Sequence, residues 1–158
     1  MSGKNVPSGL LLRTSLVFVL LGALAVLVVG VGVFYWRQRL NGLVESARKT
    51  PDDMNAWAHI RASGARALPY LVTEVQDALS RNDRQALVVW TEQLSLQVFV
   101  SDNSTHWEVL PDPDIPRVLF EDTQEAVSKK CAAITQWWQT EHSKYPPSWM
   151  FWRSQRLN

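Results

Sequence analysis

The sequence predicts an all-α protein: one N-terminal transmembrane helix followed by a small soluble helical domain of about four helices. Three observations carry that prediction. Residues 15–36, SLVFVLLGALAVLVVGVGVFYW, contain no Asp, Glu, Lys, Arg, His, Asn or Gln. Six of the seven glycines lie at or before Gly42, leaving only Gly64 for a domain that would need several turn glycines if it were β-rich. Beyond Thr50, apolar residues recur at the three- and four-residue spacing of helix faces.

The apolar run comes first. A spanning helix needs roughly 20 mostly apolar residues, and 15–36 supplies that length, about 33 Å at ~1.5 Å per residue. Arg13 closes one end; Tyr35, Trp36, Arg37 and Arg39 close the other, an interfacial pattern of aromatics and snorkelling cations. A cleaved signal peptide would have an apolar region of only about 7–15 residues followed by small residues. Here the run is longer and ends in Phe34-Tyr35-Trp36, so a retained anchor is expected. Residues 1–14 read as a polar tail. A short basic tail kept inside is the ordinary signal-anchor arrangement, and long domains translocate largely regardless of flanking charge. The soluble domain is therefore expected outside the cytoplasm.

Residues 37–49 read as an amphipathic continuation of the helix, a juxtamembrane stalk with Leu40, Leu43, Val44 and Ala47 on one side. Within 50–144, Thr50-Pro51-Asp52-Asp53 predicts a helix start with threonine as cap and proline at the first position. That helix carries Trp57 and Ile60 and stops at Gly64. A second begins near Pro69 with Leu68, Leu71, Val72, Val75 and Leu79 on one face. A third follows Asn82-Asp83 and aligns Leu87, Trp90, Leu94 and Val98. The proline- and aspartate-rich stretch 101–121 reads as a long loop, a length often associated with binding. Asp122-Thr123-Gln124-Glu125 predicts a capping box with aspartate as cap. It opens a helix to about Lys144 with Val127, Cys131, Ile134 and Trp138 on one stripe.

The run GARALPYLVTEVQDALSRNDRQALVVWTEQL resembles one helical pair of a HEAT-type repeat. Ala67, Leu68, Pro69 and Leu71 match the opening of its first helix, Asn82-Asp83 the polar turn, and Arg84 with Ala86 the start of the second. The segment AAITQWWQTEH is similar to the Trp-rich closing helix of some bacterial HEAT-like proteins. The resemblance covers about half the chain and implies a few-helix, HEAT-like domain. No second clear repeat follows, and an array needs about three repeats to bury its faces, so a solenoid is not expected.

Composition and motif searches exclude several functions. Lys and Arg number 16 against 15 Asp and Glu, without the basic excess of a nucleic-acid binder. His59, His106 and His142 show no metal-binding spacing, and Asp112 and Asp114 lack the order of a calcium loop. There is no P-loop, dinucleotide fingerprint or nucleophile elbow. The single cysteine, Cys131, forms no intrachain disulfide. No catalytic residue, metal, cofactor or small-molecule substrate is expected.

Eight tryptophans remain to be explained. Trp57 and Trp90 fall at core positions. Trp137 and Trp138 are adjacent and cannot both face one core. The tail 145–158 carries Trp149, Met150, Phe151 and Trp152 beyond two prolines, followed by Arg153. Exposed aromatics mark protein or membrane contact, and Trp and Arg are enriched at interface hot spots. The expected partner interface is Trp137, Trp138, Trp149, Met150, Phe151, Trp152 and Arg153, with docking onto a protein favoured over packing back or insertion into lipid. The expected role is a non-catalytic accessory subunit of a larger membrane complex, energy-transducing or transport, in the bacterial inner membrane. Its partners would be integral membrane proteins and the bilayer. The rival is a free-standing anchored protein-binding module.

Overall fold

The computed structural model describes the backbone of residues 8–102, 112 and 114–145, and the side chains of 17–101, 112 and 114–145. The described residues form five α-helices and two short 3₁₀ helices, with no strand among them. The fold class is all-α.

The first helix, α1, runs Ser8–Lys49, 42 residues without interruption. At ~1.5 Å per residue that is about 63 Å, roughly twice a bilayer's hydrocarbon thickness. No proline lies between Ser8 and Lys49; the helix ends where Pro51 disfavours helical geometry in the residue before it. Its two halves have different environments. Phe18, Leu20, Leu27 and Phe34 are all more than half exposed, and no residue of the most apolar 18-residue window is buried. This segment is long and apolar enough to cross a membrane. From Leu40 onward the same helix enters the domain core, burying Leu40, Val44 and Ala47 at i, i+4 and i+7.

The turn after α1 differs from the expected cap. Thr50 carbonyl accepts from the Asp53 amide at 2.9 Å, closing a turn around Pro51-Asp52. The cap is Asp53, whose carboxylate accepts from Asn55 N at 3.0 Å and Ala56 N at 3.1 Å. Because Pro51 serves the turn, α2 (Met54–Ala62) starts three residues later than the motif suggested. The Ser46 hydroxyl donates to the same carboxylate at 3.1 Å, tying the cap back to α1. Helix α2 buries Ala56, Trp57 and Ile60.

Gly64, at φ 60°, adopts a backbone conformation that favours glycine. A 3₁₀ turn, Gly64–Ala67, leads into α3 (Leu68–Ser80), with Pro69 in its first turn. Leu68, Leu71, Val72 and Val75 are buried as the spacing predicted; Leu79 is half-buried. Asn82, at φ 53°, turns the chain, and Asp83 Oδ1 accepts from Ala86 N at 3.0 Å to cap α4 (Arg84–Asp102). Helices α3 and α4 form an antiparallel hairpin. Trp90 meets Trp57 edge to face, with centroids 5.1 Å apart at 61°.

The described part of the long connection is held against α4. Ile115 and Val118 are buried. The Val118 amide donates to Thr91 Oγ1 at 2.9 Å, and Ser95 Oγ donates to Asp112 carbonyl at 2.9 Å. The buried hydroxyls of α4 thus satisfy backbone groups that the loop could not pair internally. Helix α5 (Gln124–Glu141) is capped by Thr123, which accepts from Ala126 N at 3.2 Å, and not by Asp122. Asp122 is occupied elsewhere: its carboxylate accepts from Lys130 at 2.6 and 2.8 Å and from Leu119 N at 2.8 Å. A second 3₁₀ turn, His142–Lys144, brings Tyr145 back to the core.

One ion pair joins α1 to α3. Arg48 grips the Glu74 carboxylate bidentately, Nε to Oε2 at 3.0 Å and Nη2 to Oε1. Glu74 is 4% exposed. Removing one partner of a buried pair leaves an uncompensated charge, which is worse than removing both. Arg48→Ala is expected to cost about 2–3 kcal/mol, below the ~3–5 kcal/mol of a fully buried pair because Arg48 itself is partly solvated. Arg48→Met combined with Glu74→Leu is expected to recover most of that loss, as read by urea denaturation.

Candidate membrane and partner interface

Tyr35, Trp36, Arg37 and Arg39 sit where the exposed half of α1 meets the domain. Tyr35 is exposed and Trp36 half-buried. Two guanidinium groups flank the Trp36 ring: Arg39 from its own helix and Arg66 from the first 3₁₀ turn, each 5.5 Å from the centroid. This is cation–π distance. Arg37 lies beside Tyr70 of α3, both lining one cleft. Burial pushes the Tyr70 phenol up from its ordinary value, and the adjacent Arg37 opposes that shift. Arg66 and Tyr70 were not singled out in the sequence, because only packing of α2 and α3 onto α1 brings them to this junction. Arg13 lies outside the described side chains.

Trp137 and Trp138 are both half-buried and pack against the edge of the core. Tyr145 folds over them, 6.1 Å from the Trp137 ring and 6.5 Å from Trp138 in a stacked arrangement. The His142 ring lies 5.9 Å from Trp138. Its Nδ1 is 3.0 Å from the Trp138 and Gln139 carbonyls. Trp149, Met150, Phe151, Trp152 and Arg153 lie outside the described residues.

Helix direction puts both groups at one end of the bundle. Arg66 lies on Trp36, so α3 begins beside the exposed apolar half of α1. Helix α3 runs away from that junction to Asn82, where Gln124 Nε2 donates to Asn82 Oδ1 at 3.2 Å. Helix α5 therefore starts at the far end and returns along α3, carrying Trp137, Trp138 and Tyr145 back toward the junction. At ~1.5 Å per residue, the 13 residues separating Gln124 from Trp137 cover about 20 Å, comparable to the length of α3.

At the far end, Asp53 and Asp122 hold their protons weakly. The Ala56 amide, followed by the Ser46 hydroxyl, lowers the Asp53 carboxyl; Lys130, followed by the Leu119 amide, lowers Asp122. A depressed folded-state value means stability that is present above the ordinary carboxylate pKa of about 3.9 and lost as pH falls through the folded value. Melting temperature is expected to hold from neutral pH to about 5 and to fall below about 4. Asp122→Asn is expected to be less stable at neutral pH and to show a shallower acid slope in thermal scans.

Among the described residues, no group of three or more His, Cys, Asp or Glu is placed to hold a metal ion. Cys131 is buried, and burial pushes its thiol up, away from the reactive thiolate. Two shallow clefts flank α1. One of about 400 Å³ is lined by Arg37, Asn41, Arg48, Tyr70, Glu74 and Asp77, the other by Arg48, Pro51, Arg81 and Trp90 among others. The first contains the Arg48–Glu74 pair, already satisfied within the fold. Set against known proteins, the chain matches no family model, no curated protein and no solved structure.

Proposed function

We propose that the chain is a non-catalytic, single-span accessory subunit that stabilises a larger membrane protein complex, of an energy-transducing or transport kind. The observation that carries this reading is the division of α1. One half is core to the domain; the other is apolar, membrane-length and left uncovered by the described residues. A helix of that design transmits the domain's orientation rigidly to whatever packs on it. A Cβ built at Gly22 or Gly30 meets nothing within 4 Å, so both glycines leave the helix backbone open to close approach by neighbouring helices. The host is proposed to be the bacterial inner membrane, with the domain periplasmic; Arg37 and Arg39 weigh little against this because long domains translocate largely regardless of charge.

A second reading is an anchored protein-binding module with a HEAT-like surface on the α3–α4 pair. It is favoured by Leu119 and Phe120, which project at 41% and 66% exposure before α5. Purification from native membranes in mild detergent separates the two. Comigration with a fixed set of integral proteins supports the subunit; a lone monomer supports the module. Gly22→Ala and Gly30→Ala add a Cβ that meets none of the described residues, so loss of comigration would report neighbouring helices.

A further inference from the structure

The end of the bundle nearest the membrane half of α1 differs chemically from the opposite end. No Asp or Glu occurs from residue 1 to 44 or from 54 to 73, the parts of α1, α2, the 3₁₀ turn and α3 that meet at the junction, toward which α4 and α5 end in Asp102 and Glu141. Those stretches contribute Arg37, Arg39 and Arg66, gathered around Trp36 and Tyr70. The carboxylates of Asp52, Asp53, Asp83 and Asp122 gather instead at the far end, in the turns after α1 and α3 and before α5. Because α1 continues without a break from Tyr35 to Leu40, its cations lie within about two turns of the apolar segment, roughly 10 Å. That is headgroup depth for a helix that spans the hydrocarbon.

The geometry points to a phospholipid headgroup surface. Arg37, Arg39 and Arg66 face the headgroup phosphates of the bilayer that α1 crosses, and the half-buried Trp36, Trp137 and Trp138 lie at that level, so the domain rests on the membrane. Arginine presents a planar fork of N–H donors suited to phosphate, and tryptophan is enriched where one side of a ring is apolar and the other wet. Charge complementarity calls for an anion, and the unbroken helix from the apolar segment to Arg37 and Arg39 selects anionic lipid over a soluble acidic partner. The inference rests on the reading of α1 as a membrane span and adds a lipid-binding role for the folded domain itself.

The test uses the full chain in nanodiscs of phosphatidylcholine alone or with one-third phosphatidylglycerol, with amide hydrogen exchange read over residues 63–72. Each arginine near an anionic surface contributes about a fivefold preference, so exchange is expected to slow on the order of tenfold in anionic discs. The difference should shrink in Arg39→Gln/Arg66→Gln and in about 1 M salt, where the Debye length falls to ~3 Å. The ratio between the two lipids is the readout, so a variant that merely loosens the fold speeds exchange in both discs and leaves the ratio standing. Equal exchange in both lipids overturns the proposal, as does a ratio the double variant leaves unchanged. Slowing by inorganic phosphate in phosphatidylcholine discs would show a soluble-anion site and also overturn it. Extraction of the chain from vesicles by alkaline carbonate would fail the span itself, a separate result.

Discussion

A chain starting at Thr50 is expected not to fold stably, whereas one starting at Arg37 is expected to fold. The difference is the last three turns of α1. Leu40, Val44 and Ala47 are each 5% exposed or less and belong to the domain core. Burying a leucine or valine side chain contributes about 1.5–3 kcal/mol, so their loss removes on the order of 5 kcal/mol before cavity terms. The same cut deletes Arg48 and leaves Glu74 buried without its cation. It also removes Ser46, which supports the Asp53 cap. Domains of this size have about 5–15 kcal/mol of total stability, so the shorter chain loses a large share of it. Far-ultraviolet circular dichroism and urea denaturation of the two chains decide the matter. Equal, cooperative unfolding of both would show that α1 ends its structural role at the membrane.

Trp90→Ala is expected to be the most damaging single substitution in the domain. Trp90 and Trp57 are 2% and 3% exposed, and their edge-to-face contact joins α2 to α4 at the centre of the core. Trp57 is also fixed by its indole N–H, which donates to the Pro51 carbonyl at 2.7 Å. Truncating a buried tryptophan costs about 3–5 kcal/mol, with aromatic pairing contributing part of it. At several degrees per kcal/mol, the melting temperature should drop by roughly 15 °C or more. Trp57→Phe loses the hydrogen bond and some packing but keeps a ring, and should cost about half as much. A drop under about 5 °C for Trp90→Ala would show that the core collapses around the gap more readily than close packing implies.

Helix positions were largely legible because spacing reports burial directly. The faces carrying Leu68, Leu71 and Val75, then Leu87, Trp90, Leu94 and Val98, then Val127, Cys131 and Ile134 are all buried where the periodicity put them. Caps were less legible. Both Thr50 and Asp122 sit in motifs that suit a cap, yet Asp53 and Thr123 do the work. Capping motifs describe competing local options, and the choice falls to longer-range partners: Ser46 supports Asp53, while Lys130 draws Asp122 away. The loop 101–121 read as a candidate binding element. Its described portion instead turns Ile115 and Val118 inward, a contact that depends on the hydroxyls of Thr91 and Ser95 lying on the right face of α4.

The candidate interface divides the same way. Tyr35, Trp36, Arg37 and Arg39 follow from linear order alone, since they close an apolar run long enough to cross a membrane. The sequence by itself therefore determined the helical class, the membrane-length segment and the faces of the core, because each is a property of residues close together in the chain. Only the tertiary structure decided that the stalk belongs to the core and that Arg66 joins Arg39 on Trp36. It alone carried Trp137 and Trp138 back toward the end of the bundle where Arg66 meets Trp36. The contacts that show it join residues 26 to 42 positions apart, Arg48 with Glu74, Trp36 with Arg66 and Asn82 with Gln124, and such pairings are set by how helices pack, which no local pattern encodes.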